Sequence, residues 1–220
     1  MAGRALVIGA SGGIGAAILA ALQADGWQAQ GLSRRENGFD LTDEASIAAA
    51  LEPLSAPYQL IIVATGALTI AGQGPEKTLR ALDPVIMANQ FAVNAIGPAL
   101  VLKHVRRLMP RDGGAMFVAL SARVGSIGDN ALGGWYAHRA AKAALNQLIH
   151  TAAIEMTRSH PKSICVTLHP GTVATEFGPD FGNEKQSPSV AARNILGVLA
   201  GLTPAQTGGF YDWTGARVPW

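Results

Sequence analysis

At 220 residues, 49% of them apolar and 15% charged, the chain is long enough to bury the core of one α/β domain, and nothing marks a division into two. A formal net charge of only +2 gives no electrostatic footprint for nucleic acid or an anionic membrane. The single cysteine, Cys165, rules out an intrachain disulfide and reads as a buried core thiol, in keeping with a reducing compartment. In chain order, Arg4–Ile8 reads as a first strand. Its apolar run Ala5–Ile8 stops at the glycine cluster Gly9–Gly15, too soon for a signal peptide. Ile14, Ile18 and Leu22 recur at four-residue spacing and predict a helix over Ile14–Ala24, ending near Gly26. Trp27–Leu32 is a second strand, and Asp43–Leu51 a short helix that the Thr42 hydroxyl is placed to cap. Leu60–Ala64 has the continuous β-branched run of a strand buried on both faces.

A glycine-rich loop over Gly66–Pro75 precedes two predicted helices, about Leu79–Met87 and Phe91–Met109, the second ended by Pro110. A strand at Ala115–Leu120, a loop at Ser121–Gly134 and a long helix at Tyr136–Arg158 follow. Ser163–Leu168 is a further strand, stopped by His169-Pro170-Gly171; a helix near Val190–Leu199 and a strand near Gly209–Asp212 complete the chain. Short apolar runs alternating with helical stretches predict a single doubly wound α/β domain over residues 1–220. Its Rossmann-type parallel sheet is expected to have about seven strands. No apolar stretch approaches the ~20 residues that span a bilayer, so a soluble, cytoplasmic chain is expected.

The segment Gly9-Ala-Ser-Gly-Gly-Ile-Gly15 lies between the first strand and the first helix. Glycines there let backbone approach a pyrophosphate, and the helix offers free N–H groups and the positive end of its dipole. Past the second strand, where sites that take NAD carry an acid for the ribose hydroxyls, the chain reads Ser33-Arg34-Arg35. A hydroxyl and two guanidiniums suit a 2′-phosphate, which favours NADP over NAD, with Arg34 the better placed of the two arginines.

These residues resemble the short-chain dehydrogenase/reductase family over nearly the whole chain. Gly9, Gly13 and Gly15 match its Gly-x-x-x-Gly-x-Gly turn, and Asp40-Leu41 its acidic adenine contact. Asn94 resembles its helix asparagine, Lys142 its helix lysine, and Pro170-Gly171-Thr172-Val173-Ala174-Thr175 the segment at the nicotinamide end. Val124-Gly125-Ser126-Ile127-Gly128, Gly133-Gly134-Trp135-Tyr136, Lys142-Ala143-Ala144-Leu145-Asn146 and the ending Pro219-Trp220 resemble the C-factor and sniffer-like carbonyl reductases within it. The resemblance implies a cofactor surface that also takes in Ser11, Ile14, Ala64, Thr65, Gly66, Val173 and Thr175. It further implies hydride transfer to or from a small carbonyl or alcohol substrate, no metal, and a homodimer or homotetramer through helices Phe91–Met109 and Tyr136–Arg158.

Two positions depart from the family pattern. The tyrosine expected four residues before Lys142, one helical turn away on the same face, is His138. Tyr136 lies six residues before the lysine and well round the helix from it. The second serine of the pair ending the preceding strand is Ala122, which leaves Ser121 or Ser126 to polarise a substrate oxygen. The proton then falls to His138 or Tyr136, with Lys142 on the ribose and Asn94 positioning a water. An imidazole, with a reference pKa of ~6.5 against ~10 for a phenol, is a poor acid beside a lysine ammonium. Within 171–186, Phe177, Pro179 and Phe181 are candidates to cover the substrate, and Trp135 to line the pocket or the core.

Overall fold

Four strands carry nearly unbroken buried runs: β1 (Arg4–Ile8), β3 (Leu60–Val63), β4 (Met116–Leu120) and β5 (Ile164–His169). Strands so apolar on both faces have to sit mid-sheet with helices above and below. In the computed structural model, which describes residues 3–55, 57–175, 177 and 185–220, they do. With β2 (Gln28–Leu32) and β6 (Phe210–Asp212) at the edges, the sheet is wholly parallel in the order β2-β1-β3-β4-β5-β6. Alternate residues feed two cores. Leu6, Ile8, Phe117 and Cys165 face one way, Ala5, Val7, Val118 and Val166 the other. α1 (Gly13–Ala24) and α7 (Pro188–Gly201) cover the second face; α3 (Glu44–Leu51), α5 (Gly97–Val105) and α6 (Tyr136–Met156) cover the first.

Six strands are described where about seven were expected. After the one-turn helix α2 (Arg34–Asn37), residues 38–43 do not join the sheet, because their polar groups are satisfied locally. Phe39 N–H donates to the Ser33 carbonyl, Asp40 N–H to Ser46 Oγ, and Asp40 Oδ1 accepts from both the amide and the hydroxyl of Thr42. α3 is capped by Asp43, whose side chain accepts from Ala45 N–H, and not by Thr42, whose hydroxyl is taken by Asp40.

The two helices expected across residues 79–109 are one. Leu79–Ala81 forms only a single 3-10 turn. Asp83 then caps α4 (Pro84–Phe91), a π-helical stretch Ala92–Ile96 carries it into α5, and Arg106–Leu108 closes it. Pro98 explains the π stretch: it has no N–H to give the carbonyl four residues back, that of Asn94. This helix is 25 residues long and contains an 18-residue window with a mean hydropathy of 1.6, so by length and composition it passes for a membrane span that the sequence reading did not find. It packs on α3 and α6, with Val101, Leu102, Val105 and Leu108 in the core. The C-terminal segment folds back beside β6. Val218 N–H donates to the Phe210 carbonyl, Gly128 N–H donates to the Trp220 carbonyl, and the Trp220 ring stacks on Phe210. Phe117, fully buried in β4, tests this arrangement. Phe117→Ala should lower unfolding stability by roughly 3–5 kcal/mol, read from urea midpoints at constant slope.

Candidate active site

The strand order reverses between β1 and β3, and a crevice opens there at the carboxyl ends of the strands. Its floor is the turn after β1. Gly9 has φ +88°, and a Cβ on it would meet the Ala64 carbonyl oxygen at 2.9 Å. A Cβ on Gly15 would meet the Gly9 carbonyl oxygen at 2.2 Å, backbone against backbone, and one on Gly13 would meet Thr175 Cγ2 at 2.6 Å. The helix that follows begins uncapped: no side chain bonds to its first turn at Gly12. Its leading N–H groups and dipole therefore face the crevice beside Ser11 and Ile14, the geometry that takes a phosphate. Thr65 adds a buried hydroxyl with no partner among the described residues.

At the end of β2, Ser33 is buried and its Oγ caps α2 by accepting from Glu36 N–H, which engages a lone pair and leaves the O–H proton to donate. Arg34 and Arg35 are exposed. Asp40 is held below the ordinary carboxylate range, chiefly by the Thr42 amide and hydroxyl, with Arg34 adding to it. Leu41 is buried beneath the long helix, where a Cβ on Gly97 would meet its Cγ at 2.4 Å. Beyond β5, Gln186 ties down the Pro170–Thr175 segment: its Nε2 donates to the Pro170 carbonyl, and its backbone pairs with Thr172 and Ala174 across a bridge to Val173. A Cβ on Gly171 would strike this Gln186 amide at 2.4 Å.

Asn94 and Lys142 come together, on either side of Gly66. A Cβ on Gly66 would lie 3.2 Å from Asn94 Oδ1, 3.3 Å from the Phe177 ring and 3.4 Å from Lys142 Nζ. Asn94 Oδ1 accepts from Ala67 N–H at 3.1 Å, and its Nδ2 donates to the Ala67 carbonyl and to Gln90 Oε1. Lys142 Nζ donates to the Leu120 carbonyl at 2.9 Å, and burial brings its ammonium down to about 7. His138, one turn before it, is 1% exposed and lies edge-on to Trp135 and Phe177 at 6.3 and 6.0 Å. Burial, then the Lys142 and Arg139 charges, push the imidazole down to about 3, while the Ala67 carbonyl pulls the other way.

Two expected groups are bonded elsewhere. Ser121 Oγ donates to Asn146 Oδ1 at 2.8 Å, and Ser126 Oγ accepts from Asp129 N–H. Tyr136 opens α6, half-buried, and its phenol makes no hydrogen bond among the described residues. Of the expected cover, Phe177 reaches the site, whereas Pro179 and Phe181 lie outside the described residues.

Residues 9–210 match a family model described as enoyl-(acyl carrier protein) reductase. The C-signal protein of Myxococcus xanthus is 36% identical over 143 residues, 63% of this chain and 81% of that protein. The 1-hydroxy-2-glutathionyl-2-methyl-3-butene dehydrogenase of a Rhodococcus species is 30% identical over 187 residues, 84% of this chain and 80% of that one. A Burkholderia multivorans short-chain dehydrogenase/reductase solved with bound NADP superposes over both whole chains, with a TM-score of 0.83 and 25% identity. The chain belongs to the short-chain dehydrogenase/reductase family.

Within that family frame, the sequence reading missed Gln90 and Glu76, and passed over Asn146 as a partner of Ser121. Gln90 precedes Asn94 by four residues, so helical spacing alone places it beside its partner, whereas Asn146 meets Ser121 across 25 positions and carries no such signal. No comparable signal marks Glu76, which comes from a distant loop. Its carbonyl accepts from Trp135 N–H at 2.6 Å and its carboxylate from Ala137 N–H at 3.2 Å, holding the left-handed Trp135 (φ +54°) at the start of α6.

The depressed imidazole has a consequence for stability. Unfolded, His138 returns to about 6.5, so between there and about 3 the unfolded chain binds more protons than the folded one, and stability falls on acidification. His169, buried at the end of β5 and held to about 4, acts in the same sense. His138→Gln should therefore flatten part of the fall in urea midpoint between about pH 6.5 and about pH 4, and His138→Gln with His169→Gln more of it.

Proposed function

We propose that this short-chain dehydrogenase/reductase binds NADP in the crevice and moves hydride between it and a small carbonyl or alcohol substrate, with His138 in the tyrosine position and Ala122 in the serine position. One observation carries the cofactor reading: an uncapped helix start behind a turn whose Gly9, Gly13 and Gly15 leave no room for a Cβ, with an exposed arginine at the end of the next strand. The NADP held by the Burkholderia relative supports the choice of nucleotide.

When bound, the nicotinamide supplies or accepts the hydride. Gly9, Ser11, Gly13, Ile14 and Gly15 take the diphosphate through backbone N–H groups and the helix dipole. Arg34 meets the 2′-phosphate. Asp40 and Leu41 border the adenine, and Ala64, Thr65 and Gly66 line the ribose path with Thr65 Oγ1 ready to donate. Pro170, Gly171, Val173 and Thr175 bound the nicotinamide end. Lys142 bonds the ribose, and Asn94 holds the β3–α4 loop through Ala67 and positions a water. Substrate enters beside His138 under Phe177.

A second reading, an NADP-binding protein with little turnover that serves as a sensor or partner, is favoured by one observation. Ser121 is bonded to Asn146, Ala122 has no hydroxyl and His138 is neutral, so none of the serine and tyrosine positions of the family pattern offers a proton to the cofactor crevice. Ile96, Leu148 and Ile154, exposed on the two helices expected at subunit contacts, support a homodimer or homotetramer, and the reducing cytoplasm suits the one buried thiol.

Binding should change NADPH fluorescence, and Arg34→Ala should weaken NADPH about tenfold, or ~1.4 kcal/mol, while leaving NADH unchanged. Restoring the phenol with His138→Tyr should raise reductase rates on aldehydes and ketones by ~10²–10⁴. A silent variant that still binds NADPH tightly decides for the second reading. Brisk turnover by the unaltered chain, insensitive to residue 138, removes His138 from the chemistry.

A further inference from the structure

We infer that His138 holds its proton on Nδ1 and presents a bare Nε2 to the crevice, so that the site selects a ligand hydroxyl, a hydrogen-bond donor, on an apolar body. The inference rests on the proposed reading in taking this crevice as the substrate site.

The argument is one of hydrogen-bond polarity, and it starts from backbone groups, whose polarity is not adjustable. Ala67 N–H can only donate and the Ala67 carbonyl only accept, so Asn94 has its Oδ1 on the first, at 3.1 Å, and its Nδ2 on the second, at 2.9 Å. The Leu68 carbonyl likewise fixes Gln90, whose Nε2 donates to it at 2.8 Å. Gln90 Oε1 is left to accept from Asn94 Nδ2 at 2.6 Å. Both amides are thus pinned from outside, and the atom that His138 Nδ1 meets, at 3.4 Å, is an acceptor. A lone pair on Nδ1 would oppose a lone pair on Oε1, whereas an N–H there is attracted. In a neutral imidazole a proton on one nitrogen leaves the other bare.

The ring is neutral because its surroundings disfavour a charge. It is 1% exposed, between Trp135 and Phe177, and the cations of Lys142 and Arg139 act on it. Nδ1 is the ring nitrogen that meets Gln90, and Nε2 has no side-chain partner among the described residues, so its lone pair joins the Thr65 hydroxyl as an unmet group of the site, while the Ala67 carbonyl adds to the pull for one proton on the ring. A carbonyl oxygen offers it only a second lone pair, while an alcohol O–H satisfies it. Phe177, 44% exposed and lying over Gly66, supplies an apolar cover for the rest of the ligand.

The test uses the full chain with histidine labelled by nitrogen-15. Nuclear magnetic resonance should show the His138 ring at pH 7 as the neutral Nδ1–H form, and Gln90→Leu should weaken that preference. In parallel, cyclohexanol should bind about tenfold more tightly than cyclohexanone, and His138→Tyr, which adds a donor, should abolish the difference. An Nε2–H ring or an imidazolium at pH 7 overturns the inference. So does cyclohexanone binding as well as or better than cyclohexanol, or failure of cyclohexanol to bind. A separate NADPH titration keeps the two readings apart. No NADPH binding defeats the proposed function, whereas NADPH binding with the wrong tautomer or no alcohol preference defeats this inference alone.

Discussion

Backbone against backbone at the turn after β1 is the constraint on which the rest of the molecule hangs. With the Gly15 Cα so near the Gly9 carbonyl that a single methyl would sit 2.2 Å from it, helix α1 has one way to leave the sheet. That exit aims its uncapped start along the crevice at the switch point. A side-chain cap would satisfy those N–H groups and close them to a ligand. With Gly12 at the N-cap the chain forgoes only roughly a few tenths of a kcal/mol against a side-chain cap, and the N–H groups stay open to an outside acceptor. Packing at the far side follows from the same turn, since Gly13 leaves room for Thr175 and so sets where the segment after β5 crosses.

The polar centre obeys a different constraint. His138, Lys142, Asn94, Gln90, Ser121 and Asn146 are all buried, and a buried polar group without a partner costs about 1–3 kcal/mol. The chain meets most of this by pairing them in two chains, Gln90–Asn94–Ala67 and Ser121–Asn146, and by giving the lysine the Leu120 carbonyl, while Asn146 Nδ2 is left without a partner among the described residues. Pairing fixes which atoms donate and which accept, so satisfying the interior also determines what a ligand must bring. Ser121 illustrates the consequence: once bonded to Asn146, its hydroxyl proton is spent inside the protein and is not offered to a substrate.

Much of the fold was legible because strands buried on both faces and a helix start marked by glycines have strong local signatures. The run Leu60–Val63 and the turn Gly9–Gly15 needed no tertiary context. Where the reading went astray, local bonds won over pattern. Thr42 reads as the cap of the helix it precedes, yet its amide and hydroxyl go to the Asp40 carboxylate and Asp43 caps α3 instead. Phe91 reads as a fresh helix start, yet the chain enters it without a break, because Pro98 is accommodated by the π stretch and not by a turn. Of the site, the residues carried by spacing on one helix, His138 and Lys142, could be paired from sequence alone. The role of Glu76 could not, since 61 positions separate it from the amide it caps.

The replacement of a phenol by an imidazole at position 138 is more than the loss of an acid. A tyrosine there is both donor and acceptor through one oxygen at the ring's tip, so it serves a carbonyl and an alcohol alike. An imidazole divides the two roles between atoms at different places on the ring, and Gln90 takes the one that donates. Lys142 compounds the change. Beside a phenol a cation favours the charged phenolate, whereas beside an imidazole it disfavours the charged form, so the same lysine that assists one ring restrains the other. The lysine's own burial limits this, because a group held near 7 is partly neutral at physiological pH and its restraint weakens as the pH rises. The electrostatics of the site therefore turn on Lys142 as much as on the residue that departs from the family pattern.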